Sequence, residues 1–230
     1  MQLLASGDQQ NLQWQRDLSI ILEKRGDTFQ LLNQLSEAES CFTRSHEIRQ
    51  QLVDANADDL GLKLELSSSF DRLGNISAAQ YHLDEALVDY RKSLSIRQKY
   101  ATPYPDDASW QADLAFSFEH IGDVLCAQRN PNEALSEFRN AFAIRKKLAD
   151  ASPEDAERQA RVAHLCLRIA QAMDKSKSTE EEATRLVKQG RSILEALSKK
   201  NALSALQRED LTELQRLAAD LAKPDTPTAE

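Results

Sequence analysis

Shifted along itself by 48 residues, this chain matches itself, and a self-similarity of that length confines it to repeat architectures. Gly26, Gly74 and Gly122 share one register, as do Ala38, Ala86 and Ala134, and then Phe42, Tyr90 and Phe138. Ile48 and Arg49 fall on Ile96 and Arg97 and on Ile144 and Arg145. Upstream, Trp14 superposes on Leu62 and Trp110, and Leu18 on Leu66 and Leu114. A fourth copy is degenerate: Leu165 and Ala170 keep the register, and one inserted residue moves the next matches to Ala183, Val187, Gly190 and Ile193.

Within each copy the apolar spacing is helical. Trp14, Leu18, Leu22 and Gly26 fall every four residues, as do Trp110, Leu114, Phe118 and Gly122, so each set forms one stripe on a helix. Trp110 is expected to be buried between the second and third units. A second stripe runs through Ala134, Phe138, Ala141, Ile144 and Leu148. Between the stripes, Asn130 and Pro131 read as a capping side chain and a first helical position. Ser36 with Glu39, and Thr179 with Glu182, read as capping boxes. Each unit is therefore expected to be two antiparallel helices of about 20 residues joined by short turns. The glycines lower helix propensity by about 1 kcal/mol each relative to Ala, a cost explained if the backbone there must come close to its neighbour. Ala38, Ala86 and Ala134, with Ser45, Ser93 and Ala141 seven residues on, are the small residues that allow it, and the aromatic at 42, 90 or 138 fills the space between helices.

Glycine, a small residue twelve later, an aromatic sixteen later and a small residue nineteen later resembles the tetratricopeptide repeat. Gly122, Ala134, Phe138 and Ala141 carry the pattern, as do Gly74, Ala86, Tyr90 and Ser93, and Gly26, Ala38, Phe42 and Ser45. Leu22, Phe70 and Phe118 stand at the large position four before the glycine. The period of 48 exceeds the family's usual 34, and Gln50, Gln98 and Lys146 stand near the usual terminal proline, which resembles the long-helix bacterial variants. The resemblance implies an all-α fold, an α-solenoid (right-handed superhelix) of antiparallel helix pairs. The expected divisions are repeats at 10–55, 56–103 and 104–152, a degenerate repeat at 153–200, a capping helix at 201–222 and a disordered tail at 223–230. Residues 1–9 read either as the end of a preceding repeat or as a leader, since Met1 falls in register with Arg49.

Composition narrows the function. Asp and Glu number 37 against 29 Lys and Arg, a net charge of −8. That sign disfavours nucleic acid, whose phosphates are met by clustered cations. No stretch approaches the roughly 18 apolar residues of a membrane span, so no membrane partner is expected. Cys41, Cys126 and Cys166 lack close spacing and read as free thiols in a reducing, cytoplasmic compartment. No phosphate loop, metal-ligand spacing or nucleophile–base pair is present, so no catalytic residue, metal or cofactor is assigned and the chain is read as no enzyme. The recurring Arg49, Arg97 and Arg145 read as ion pairs or caps between neighbouring units.

The resemblance implies a protein-interaction scaffold whose first helices line a concave groove. The positions that would face it carry six acids, Asp174 among them, and one base. The candidate groove residues are Glu23, Asp27, Leu64, Asp71, Asn75, Phe116, Glu119, Asp123 and His164. Focused negative charge favours a protein or peptide partner with basic residues, while acids paired with Arg of neighbouring helices are the alternative origin of that excess. A second functional reading is a regulatory sensor that binds a small ligand or peptide and passes a conformational change to an upstream domain of a longer chain.

Overall fold

The computed structural model describes residues 12–173 and 177–222. The segment expected to end a preceding repeat, Asp174 and the expected tail lie outside the described residues. Within them there are nine helices and no strand: α1 Leu12–Leu31, α2 Leu35–Ala55, α3 Leu60–Ala79, α4 Leu83–Ala101, α5 Ala108–Ala127, α6 Pro131–Asp150, α7 Ala156–Ala172, α8 Lys177–Lys199 and α9 Ala205–Leu221. This is the all-α, α-solenoid class of stacked helix pairs.

The helix ends have local causes. Asp59 and Asp155 cap α3 and α7: the N–H groups of Leu62 and Arg158 donate to their side chains at 3.0 and 3.1 Å. Asp107 does the same for α5, accepting from the N–H groups of Ser109 and Trp110 at 2.9 and 3.0 Å. These three aspartates stand 48 apart, and each satisfies amides that an uncapped first turn leaves without a partner. At the other end, α1, α3 and α5 run into the left-handed residues Asn33, Tyr81 and Arg129 (φ 58, 63 and 60°). The next N–H then reaches back to the carbonyl of Phe29, Ser77 or Leu125 at 2.9, 2.8 and 2.8 Å, which closes the helix and reverses the chain.

Three expected caps are corrected. The N-cap of α2 is Gln34, so Ser36 lies inside the first turn. Asn130 holds the N-cap position before Pro131 but makes no cap bond; its amide donates to Glu133 Oε1 at 2.7 Å. Thr179 lies inside α8, which begins at Lys177. A reciprocal capping box does occur at the start of α9, between Ser204 and Gln207.

The described residues form two compact units, one up to Val124 and one from Leu125. In the first, α1 packs along α2, α2 along α3, and α3 along α4. Leu18, Ile48, Leu52 and Leu62 make one apolar cluster, and Ala38, Phe42 and Ile76 another. Glycine is required where the helices of a pair meet. A Cβ on Gly26 would fall 2.6 Å from Phe42 Cε1, and one on Gly74 would fall 2.8 Å from Tyr90 Cε1. Tyr90 cannot retreat easily, since its ring is buried and its hydroxyl donates to Asn75 Oδ1 at 2.7 Å. Gly74→Ala is therefore expected to lower the melting temperature. The gain in helix propensity is about 1 kcal/mol, and forced overpacking costs about 1–3 kcal/mol. A melting curve that rises would show that the ring moves aside at no cost.

The tryptophans are also corrected. Trp14 is 37% exposed, and Trp110 is half-buried, its ring 6.1 and 6.2 Å from those of Tyr100 and Tyr104. Both stand in the first turn of their helix, beyond the zone where the helix pair is closest, so the stripe that begins with them enters the core only at Leu18 and Phe118.

In the second unit α6 packs on α7, α7 on α8, and α9 on both α8 and α7. Leu203 and Leu214 are buried among Ala160, Ala163, Leu167, Val187, Leu194 and Leu197. Gly190 again marks a close approach: a Cβ there would lie 3.1 Å from the carbonyl oxygen of Ala163. The three cysteines are free, and Cys41 and Cys166 are buried. Burial pushes the Cys166 thiol up to about 12, which makes it unreactive at neutral pH. Among the described residues no helix is long and apolar enough to cross a membrane.

Candidate binding face

Eight of the nine candidate groove residues lie in the first unit, on α1, α3 and α5. There the acids meet arginines. Arg49 Nη2 lies 2.5 Å from Glu23 Oε2. Arg72 Nη1 lies 2.9 Å from Asp27 Oδ1 and its other nitrogen 3.6 Å from Glu23. Arg97 Nη2 donates to Asp71 Oδ2 at 2.5 Å. Arg16 donates from Nε and Nη2 to Glu65 Oε1 on the next first helix. Glu23, Asp27, Glu65 and Asp71 thus each face a guanidinium, so the acidic excess along this stretch is answered largely from within the fold.

The buried arginines act alike in successive repeats. Arg49 binds the acid 26 residues before it, Glu23, while Nη1 donates at 3.0 Å to the carbonyl 16 residues after it, that of Glu65. Arg97 repeats both contacts with Asp71 and, at 3.4 Å, with the carbonyl of Asp113, and adds Ser117 Oγ at 2.8 Å. Each guanidinium therefore joins its own helix pair to the first helix of the next. Burial raises the Asp71 carboxyl above the ordinary value, and Arg97 pulls it back down.

A second contact recurs beside it. Arg72 lies over the ring of Phe42 at 5.9 Å, and His120 stacks on Tyr90 at 4.8 Å between ring centroids. In the second unit Arg168 lies over Phe138 at 5.2 Å. The basic position 24, 72, 120 and 168 keeps the 48-residue register, a signal visible in the chain that the apolar stripes overshadowed. His120 is enclosed by Tyr90 and by the edge of Phe116, 4.1 Å away. Burial lowers its pKa, although Asp71, Asp123 and Glu119 act against that shift, so the ring is neutral at pH 7.

The other candidates divide between core and surface. Asn75 holds the hydroxyl of Tyr90. Glu119 is buried, whereas Asp123 at the end of the row is exposed. Leu64 and Phe116 are half-buried, and Ile20, in register with Phe116, is 40% exposed. In the second unit His164 Nδ1 lies 2.9 Å from Asp210 Oδ2 on α9. The pair borders a cavity of about 230 Å³ lined by Glu157, Arg161, Gln207 and Glu209. Among the described residues no group of three or more His, Cys, Asp or Glu could hold a metal.

Residues 66–100 and 117–157 match the sequence profile of the tetratricopeptide repeat. These two matched segments support the tetratricopeptide repeat family. No curated protein matches the sequence. Among solved structures, the apo form of RapI is similar at 12% identity with a TM-score of 0.61, over 89% of this chain and 69% of that one. Yeast Hif1, described as a histone chaperone and a scaffold protein recruiting protein complexes to core histones, is similar at 12% identity with a TM-score of 0.56, over 91% of this chain and 98% of that one. At these identities the likeness is one of fold. A tetratricopeptide-type helical repeat suggests a protein-interaction scaffold, a role that calls for no chemistry.

Proposed function

We propose that this protein is a non-catalytic scaffold that holds a peptide or an extended segment of a partner protein along the first-helix face of α1, α3 and α5, a concave groove of the long-helix, 48-residue repeat type. The observation that carries this reading is the row Ile20, Leu64 and Phe116: apolar side chains left partly exposed beside acids that are already paired with arginines. Such a surface binds by shape and apolar contact, with the paired charges setting register. Its partner carries an apolar anchor with a Lys or Arg near it, directed toward exposed Asp123. His164 and its cavity are a separate contact point for the same class of partner.

The residues of the face divide by role: Glu23 and Asp71 belong to the fold, and Phe116, Ile20 and Asp123 to the partner. Peptides selected from a displayed random library against the intact protein should share an apolar residue beside a basic one. Ile20→Ser and Phe116→Ala should each weaken them about tenfold, the scale of an interface anchor. Exposed Ile20→Ser should leave the melting temperature nearly unchanged, whereas Phe116→Ala, which also removes a ring against His120, should lower it. Rising salt should have a small effect, because most of the charge is internally paired. Selected peptides that bind both variants as well as the parent would place the partner site elsewhere.

A further inference from the structure

Three of the turns that lead from one helix pair to the next stand in one 48-residue register, and the middle one differs in chemistry. Residues 102–107, between α4 and α5, carry Tyr104 where the other two have Asn56 and Ser152. On its flanks Tyr100 and Trp110 replace Leu52 and Leu62, which are buried in the preceding stretch. Leucine therefore suffices to fill those places, and packing does not call for the rings. Tyr100 and Trp110 are half-buried, and Tyr104 is 55% exposed. The ring centroids of Tyr100 and Tyr104 lie 6.1 and 6.2 Å from that of Trp110, with planes inclined to it by 44° and 26°. The three rings thus form one aromatic surface in the middle of the sequence, with notches between rings that are not parallel.

The loop that bears this surface is ordered from within. Pro103 and Pro105 restrict the backbone on both sides of Tyr104. The Tyr104 N–H donates to the Ala101 carbonyl, and the Asp107 N–H donates to the Tyr104 carbonyl, both at 3.1 Å. Gln111 Nε2 adds a second donor to the Ala101 carbonyl at 3.2 Å, and Asp107 caps α5. An exposed aromatic on a loop held in this way loses little further freedom on binding. We infer that the Tyr104–Trp110 surface docks a proline-rich extended segment of a partner protein, one that carries a Lys or Arg beside its prolines. A small, shallow patch buries too little area to order a flexible chain. A polyproline II segment is already extended, and its prolines have no N–H to satisfy. Its rings settle against aromatic rings, while the Tyr hydroxyls and the indole N–H of Trp110 are donors for its carbonyls. Lys63 lies over the Tyr100 ring at 5.7 Å, so the open part of the surface is Tyr104 and Trp110. The charges of the loop itself are the exposed Asp106 and Asp107, which complement a basic residue and disfavour an acidic one. This surface is distinct from the Ile20, Leu64 and Phe116 row and does not rest on that groove.

The probe is a synthetic oligoproline peptide of about ten residues ending in arginine, titrated into the intact Trp14→Phe protein so that Trp110 is its single indole. A saturable change in Trp110 fluorescence is expected. Tyr104→Ala should weaken binding about tenfold, the loss of one aromatic anchor, and should keep the parent melting temperature because that side chain is exposed. Asp106→Asn, or Glu in place of the arginine of the peptide, should weaken binding and reduce its salt dependence. Ile20→Ser, in the proposed groove, should leave it unchanged. Absence of saturable binding, or equal binding to the Tyr104→Ala protein, would overturn the inference. A peptide with alanine in place of every proline is the second arm. If it binds as well as the oligoproline, the surface reads charge alone and a proline-rich partner is excluded.

Discussion

Replacing Arg97 with Ala is expected to cost roughly 3–5 kcal/mol, the range for breaking a buried ion pair from one side. The Arg97 and Asp71 side chains are each only 7% exposed, so the variant leaves a carboxylate buried with little to stabilise it. It also removes the donor to the Ser117 hydroxyl oxygen and one of the donors to the Asp113 carbonyl. Arg97→Lys should recover only part of the loss, because one ammonium cannot span an acid, a hydroxyl and a backbone carbonyl that a guanidinium fork reaches together. Urea unfolding at pH 7 reads the difference. The double variant Asp71→Leu with Arg97→Met should be far less damaged than Arg97→Ala, since replacing both partners of a buried pair with apolar groups is often neutral. If the single and double variants fall equally, the pair is not what holds these helices in register.

Ending the chain after Ala202 is expected to leave the second unit insoluble or reversibly aggregated. That truncation removes Leu203, which is 7% exposed, and Leu214, which is fully buried. Each buried leucine contributes about 1.5–3 kcal/mol. It also uncovers Ala160, Ala163, Leu167, Val187, Leu194 and Leu197, an apolar surface of the kind that drives association in end-stripped repeat arrays. Leu214→Asp should reproduce the effect with the chain length unchanged. Light scattering and a thermal melt suffice, and a monomeric truncated chain with the parent melting temperature would remove the capping role of α9.

The candidate face was legible in unequal parts. The recurring arginines were visible as a register, and their role as links between neighbouring pairs followed from it; the identity of the partners did not. Glu23, Asp27 and Asp71 read as acids facing a groove because each stands on its first helix away from the apolar stripe, Glu23 and Asp27 four residues apart on one helix. Whether such an acid faces solvent or a guanidinium depends on a helix 26 residues further along the chain. The tryptophans show the same limit. A four-residue spacing says that Trp14, Leu18 and Leu22 share a face, and it carries no information on how far along the helix its neighbour remains in contact.

By itself the sequence determined the helix pairs, their length, the close approach at Gly26 and Gly74 and the fold class, because each rests on periodicity and local backbone preference within one or two turns. The tertiary structure alone decided which cap side chains accept a bond, which acids are neutralised and which bases lie over which rings. Those outcomes turn on a few ångströms between helices far apart in the chain, and burial and electrostatic pairing are set at that distance.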